Sequence, residues 1–412
     1  MEPVQLVGWA FFPLDEELAL PTGRLTPLQE EHLTRLGIWM PFERAAEMMK
    51  DLLGVQVSEA TVRRRTQQAG AAYEAVQTQA AQASVVASLQ GPFPEKLVIS
   101  TDGAYVPLIQ GQWAEVRTLA VGQVAQREEQ VQTSHLSYFS RMTDAETFGS
   151  LAEVEMRRRG VSQVAAVCAV ADGADWIQGF IDLHRPDAVR ILDFPHAAEH
   201  VTALIEALQQ AGVKVPSDAL QRSLHILKHR GPGLLLRCCD RFPQPIAEQE
   251  AIKQQLQYFR KRLSLLQYSD YQQQGWPIGS GMVESANKGV VQARLKGTGM
   301  HWAPAHVNPM LALRTAVCNE RWLEAQRETL AEQRSARANK RLHRATTRFQ
   351  ACISSLMLLL LRFQPPTPKS AFQPPISKLA GPATTLPGSC RPSAHHPWKR
   401  GPSCRPKLSA KK

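Results

Sequence analysis

Four acidic residues in this chain stand where chemistry is commonly done. Asp102, Asp172 and Asp193 each follow directly on a short, mostly apolar run, in LVISTD, VCAVAD and VRILD. Such runs read as strands, and open α/β sheets carry their sites at the carboxyl ends of strands. The fourth, Glu284, follows the segment WPIGSGMV. It is expected in the first turn of a helix from Met282 to Leu295, with Lys288 and Gln292 above it on the same face. Carboxylates are hard oxygen ligands. Asp102, Asp172 and Glu284, brought together, suit two Mg²⁺ ions (or Mn²⁺) about 4 Å apart, which activate a water and stabilise the leaving oxygen in phosphodiester cleavage. Without metal, three facing carboxylates repel one another. Asp-Gly pairs also make ordinary turns after strands, and for any single one that is reason enough. The recurrence, three strand-end acids plus a helix-start Glu, is what points to a site.

A second constellation competes. His196-Ala-Ala-Glu199-His200 matches H-x-x-E-H, the zinc signature of inverted metallopeptidases, with both histidines on one helical face and Glu284 as a conceivable third ligand. The plain alternative is an amphipathic helix with two surface histidines. A peptidase also leaves the repeated strand-plus-Asp pattern unexplained. No P-loop, nucleophile elbow or dinucleotide turn is present in the sequence. The glycines of Gly279-Ser280-Gly281 are expected to allow close backbone approach beside Glu284. Candidate DNA contacts are Arg63, Arg64 and Arg65 on one helix, Lys288, Arg294 and Lys296 beyond Glu284, and Trp302 as a stacking surface. Solvated helix faces and a core tryptophan are the alternatives.

The elements that must position these residues follow from the pattern. Residues 1–90 read as helical, with an amphipathic helix at Pro41–Leu53 stopping at Gly54 and a second, EATVRRRTQQAG, capped by Ser58 and closed by Gly70. The pair resembles a helix-turn-helix. Strands are expected at Lys96–Ser100, Trp113–Val124, Val131–Ser140, Val164–Ala171 and Ala188–Leu192, with a helix over Asp144–Arg159. Helices then follow at Ala197–Gln210, Asp218–Lys228 and Ile246–Leu266, broken at Gly231-Pro232-Gly233. This order suits an α/β fold with a mixed sheet of the ribonuclease-H type, helices lying on both faces. The expected organisation is an N-terminal helical DNA-binding region (1–90), a first part of the catalytic core (95–200), a helical insertion (201–275), a last part with the Glu284 helix (276–345) and a basic, largely disordered tail (346–412).

Composition is that of a globular chain: 412 residues, 43% apolar and 21% charged, which excludes wholesale disorder. The longest apolar stretch, about Cys352–Leu361, is half the length a membrane-spanning helix needs, so no membrane partner is expected. No secretory signal is evident at the start. The seven scattered cysteines form no C-x-x-C pair and fit reduced thiols in a cytoplasmic protein. The net charge is +11, yet from Ala331 onward there are 16 Lys/Arg and one acid, Glu332. A basic end on a near-neutral body reads as an arm for a polyanion, or as a tail kept soluble by charge.

The segments STDGAYVPL, VADGADWI, ILDFPHAAEH and WPIGSGMVESANKGVVQARLKGTGMHW, with FFPLDEELAL and AHHPWKR nearer the ends, resemble the bacterial insertion-sequence DDE transposases of the ISKra group, distant relatives of Mutator-type enzymes. The resemblance covers most of the chain. It implies a ribonuclease-H-like catalytic domain interrupted by a helical insertion, and Mg²⁺-dependent DNA cleavage and strand transfer at element ends by a homodimer or larger oligomer. By position, Asp102, Asp172 and Glu284 match the three metal-binding acids. Asp193 and His196 match an Asp-x-x-His element that supports the site or the DNA. Asp193, also at a strand end, rivals Asp172 as second ligand. Asp172 is preferred because its strand should neighbour the first. Members of the group carry a cysteine-rich element before the PLDE segment, where MEPVQLVGWAFF has neither Cys nor His. A zinc metallopeptidase and a catalytically decayed DNA-binding protein are the other readings.

Overall fold

The structure is a computed structural model that describes residues 4–6, 9–11, 25–83, 93–127 and 130–362. The chain divides into a unit Met1–Ala345 and a unit Thr346–Lys412. The first unit opens with two short strands, β1 (Val4–Leu6) and β2 (Trp9–Phe11), paired antiparallel. The expectation of helix throughout 1–90 is therefore corrected at its start, where aromatic and β-branched residues favour extended backbone.

Three helices follow. In α1 (Pro27–Trp39), Thr26 and Gln29 form a reciprocal capping box. The next helix, α2 (Phe42–Leu53), ends at Gly54 in the left-handed region, φ 65°. The third, α3 (Glu59–Gln82), is capped by the Ser58 hydroxyl, which accepts from the Thr61 amide at 3.2 Å. Leu33, Ala45, Met49 and Val62 form their common core. The expected stop at Gly70 is corrected, because the helix continues to Gln82. Gly70 serves packing instead. A Cβ placed there would lie 2.4 Å from the Pro309 carbonyl oxygen.

The central sheet comprises β3 (Lys96–Pro107), β4 (Trp113–Arg127), β5 (Gln130–Arg141), then, after α4 (Ala145–Arg158), β6 (Ala166–Ala171), and, after α5 (Asp175–His184), β7 (Val189–Leu192). The strand order is β5-β4-β3-β6-β7. The first three strands pair antiparallel, and β3, β6 and β7 run parallel. This is the mixed α/β sheet expected from sequence. Its two faces are covered differently. Leu97, Ile99, Leu119 and Val121 meet Phe148 and Phe180 from α4 and α5. Val98, Ala120, Cys168, Val170 and Ile191 meet the helices that follow β7. An apolar strand such as β6, covered on both faces, needs no polar alternation.

Those following helices are α6 (Phe194–Gln210), α7 (Ala219–Arg230), α8 (Pro232–Cys239), α9 (Gln244–Ala247), α10 (Glu250–Lys261) and α11 (Tyr268–Gln273). The single helix expected over Ile246–Leu266 is thus corrected to α9, α10 and a 3₁₀ turn, Leu263–Leu265. The chain then returns through α12 (Gly281–Ala286), a π-helical stretch (Asn287–Gln292), α13 (Ala293–Leu295), α14 (Pro304–Cys318) and α15 (Trp322–Arg362). The last helix extends to Arg362, so the expectation of disorder from residue 346 is corrected for residues 346–362, which are helical. Residues 363–412, including AHHPWKR, lie outside the described residues, as does FFPLDEELAL beyond Phe11. Among the described residues no helix is long and apolar enough to cross a membrane.

Gly70→Ala is expected to cost about 1–3 kcal/mol, because backbone rather than a flexible side chain blocks the new methyl. Urea unfolding midpoints of the two proteins check this.

Candidate active site

Asp102 lies within β3, not at its end as expected. The parallel pairing of β3 with β6 stops at Ile99–Ala169, while the antiparallel pairing with β4 continues through Asp102–Thr118 to Pro107–Trp113. Beyond Ile99 β3 no longer pairs with β6, and the cleft lies there. Asp172 follows the last residue of β6, in a turn completed by Gly173 at φ 81°. Its Oδ1 accepts from the Ala174 amide at 2.9 Å. Asp193 follows β7 and caps α6, accepting from the His196 amide at 3.3 Å.

These acids share a cleft of about 180 Å³ lined by Asp102, Asp172, Asp193, His196, Glu199 and Glu284, among others. Convergence from four separate segments was expected, and the folding of the chain produces it. Two side chains hold the Glu284 segment in place. Asp193 Oδ1 accepts from the Ser280 amide at 2.6 Å, fixing the turn before α12. Asn287 Nδ2 donates to Asp102 Oδ2 at 2.8 Å, fixing the turn after Glu284. The glycines beside Ser280 are not close approaches. A Cβ at Gly281 would meet nothing within 4 Å, and one at Gly279 only Asp193 Oδ1 at 4.0 Å. Close approach is thus corrected to a turn held by Asp193.

The charges in this cleft act on one another. Burial raises the pKa of Asp102 above the usual carboxylate range, the Gly103 amide opposes this, Asp172 raises it further, Asn287 opposes again, and Glu284 adds to the rise. Burial likewise raises Asp193, opposed by Ser280 and His196, with Glu284 adding to the rise. Among the described residues no three His, Cys, Asp or Glu side chains are grouped closely enough to hold a metal ion. The donor set still fits a hard cation in kind: carboxylate oxygens gathered around one cleft.

The His-x-x-Glu-His set divides. His196 lines the cleft, 3.5 Å from Glu199 Oε2. His200 does not line it. Its Nδ1 lies 2.7 Å from Gln255 Oε1 and its ring stacks on Tyr258 at 3.6 Å. Burial, opposed by Gln255, lowers the pKa of His200.

The proposed DNA contacts divide as well. Arg63, Arg64, Lys288 and Lys296 are exposed. Arg65 pairs with Glu30 at 3.3 Å. Arg294 is corrected from a surface contact to a core residue. It is 2% exposed, donates from Nε to the Gly37 carbonyl at 3.0 Å, and lies over Phe42 and Trp302. Trp302 is likewise buried, 7% exposed, among Val106, Leu295 and Val307, so it presents no stacking face.

Sequence reasoning missed three participants. Asn287 stands one turn after Glu284, a spacing that could have drawn notice. Tyr258 and Arg262 come from the helical insertion, and only the fold reveals them. The Tyr258 hydroxyl donates to the Asp172 carbonyl at 3.2 Å, and Arg262 donates to the Gly173 carbonyl at 3.1 Å. Burial pushes the Tyr258 phenol up to about 12, so it stays a donor. No family model matches the chain, and no curated protein matches it.

The sign of the Asp102 shift has a measurable effect. A folded carboxyl with a raised pKa holds its proton to higher pH than the unfolded chain does, so ionising it as pH rises lowers stability. In metal-free buffer, Asp102→Asn is expected to be more stable than the parent at pH 7. The gap should narrow as pH falls toward about 4, the unfolded Asp value. Urea midpoints at both pH values check this, and an equal gap at both would contradict it.

Proposed function

We propose that this protein is a DDE-type transposase that cleaves DNA at insertion-sequence ends and joins the freed ends to target DNA. The observation that carries the reading is the meeting of Asp102, Asp172 and Glu284 in one cleft at the end of the parallel strands. The sheet supports it. An order of β5-β4-β3-β6-β7, with three antiparallel strands and then two parallel to the first, is that of ribonuclease-H-like folds.

Asp102, Asp172 and Glu284 would hold two Mg²⁺ ions. Bound there, such ions lower the pKa of water and stabilise charge on phosphate oxygens. The surrounding residues have separate duties. Asp193 is 5% exposed and accepts from the Ser280 and His196 amides, so it holds the turn ahead of Glu284; Asp172 is taken as the second ligand because its strand, β6, neighbours β3. His196, at the cleft wall, faces incoming DNA. Tyr258 and Arg262 brace the turn carrying Asp172. Exposed Arg63, Arg64, Lys288 and Lys296 suit phosphates, and the protein acts on DNA as a homodimer or larger assembly in the bacterial cytoplasm. The engagement of His200 with Gln255 and Tyr258 speaks against a zinc peptidase.

Asp102→Asn, Asp172→Asn and Glu284→Gln are each expected to reduce Mg²⁺-dependent cleavage of element-end DNA about a thousandfold, matching the several kcal/mol a metal-held charge supplies. DNA binding should persist in all three. In all of them, as in the parent, it should weaken steeply with salt. Gel assays of cleavage and fluorescence anisotropy of binding check this. Unchanged cleavage by the variants would reject the assignment, and binding without cleavage by the parent would favour a decayed DNA-binding protein.

A further inference from the structure

We propose that Asn287 is a positioning residue that sets the spacing of the Asp102 and Glu284 carboxylates across the cleft, an inference that rests on the transposase reading. The residue is placed to do so by both its backbone and its side chain. Its amide N–H bonds to the carbonyls of Glu284 and Val283, so it is tied to the turn that carries Glu284. Its side-chain Nδ2 donates to Asp102 Oδ2 at 2.8 Å, joining residues 185 apart in sequence. One short side chain therefore links the acid on the strand to the acid on the helix.

Packing alone does not account for an asparagine here. The residue is 4% exposed, and its Oδ1 has no hydrogen-bond partner in the protein. A buried, half-satisfied amide costs free energy that an apolar side chain of the same size avoids. Positions that break a local rule in this way are commonly functional. The backbone is also unusual, since the π-helical stretch begins at Asn287. Such stretches often mark functional sites. It is not left to relax, because the Arg314 guanidinium donates to the carbonyls of Gly289 and Val290.

The chemical identity fits the duty. A lysine or arginine beside Asp102 would neutralise it and compete with a cation for its oxygens. A second carboxylate would add repulsion. A neutral amide donor orients Asp102 without doing either. With Oδ1 accepting from the Gly103 amide at 2.7 Å and Oδ2 from Asn287, each carboxylate oxygen keeps a lone pair for the cleft.

The test compares Asn287→Leu, which keeps the bulk without the donor, with Asn287→Ala. Thermal midpoints are measured in metal-free buffer, Mn²⁺ affinity by calorimetry, and kcat and KM by cleavage of an element-end duplex. The leucine variant should stay near the parental thermal midpoint, since losing the orphaned carbonyl offsets losing the bond to Asp102. Its Mn²⁺ affinity and kcat should fall about 10- to 100-fold, the usual effect of losing a partner of a metal ligand, with KM for DNA unchanged. The alanine variant should lose affinity and kcat to the same extent and lose stability as well. Parental Mn²⁺ affinity and kcat in the leucine variant would make Asn287 a packing residue and overturn the proposal alone. A parent that neither binds Mn²⁺ nor cleaves would overturn the transposase reading, and the proposal with it.

Discussion

Two hydrogen bonds between residues far apart in sequence hold the Glu284 helix to the sheet: Asp193 with Ser280, 87 residues apart, and Asp102 with Asn287, 185 apart. Both acceptors are carboxylates that line the cleft, Asp102 on β3 and Asp193 just after β7. The sheet therefore grips, at two points, the segment that completes the site. A helix of six residues, α12, is too short to be stable alone. Its position comes from these ties and from burial of Met282, Val283 and Ala286 against the sheet.

The price of the arrangement is electrostatic. Carboxylates gathered around one small cleft repel, and Asp102 shows it in a pKa raised by its neighbours as well as by burial. Cations are kept elsewhere in the core. Arg141, Arg294 and Arg314 are each at most 2% exposed, and they donate to carbonyl and amide oxygens and, for Arg294, also to the Met300 sulfur. Burial lowers Arg141 and Arg294 to about 10, still well above neutrality. The cleft therefore stays acidic and open to a counter-ion, while guanidiniums brace the scaffold behind it.

Much of this was legible in the sequence, for reasons that differ by element. The strands β3, β6 and β7 and the helix α4 announced themselves through apolar runs and spacing, and the acid following each apolar run marked the cleft. Asp102 was read as a strand end because Asp-Gly usually turns. Nothing local says that β4 goes on pairing past it. Gly70 read as a helix stop because its neighbour, Pro309, lies far along the chain. Arg294 and Trp302 looked like surface residues because charge and aromaticity do not reveal burial. The roles of Tyr258 and Arg262 depend on how the insertion packs, and no periodicity encodes that.

The two buried guanidiniums on α13 and α14 draw on acceptors from outside the central sheet. Arg294 uses the carbonyl of Gly37, and Arg314 uses that of Ile38 together with those of Gly289 and Val290. The first helix is thereby a structural part of the Glu284 segment. A fragment starting at β3 would take from each guanidinium its acceptor in that helix and loosen the stretch that carries Asn287. The amino-terminal helices are accordingly no detachable module: trimming this polypeptide to a minimal core would dismantle the cleft from behind.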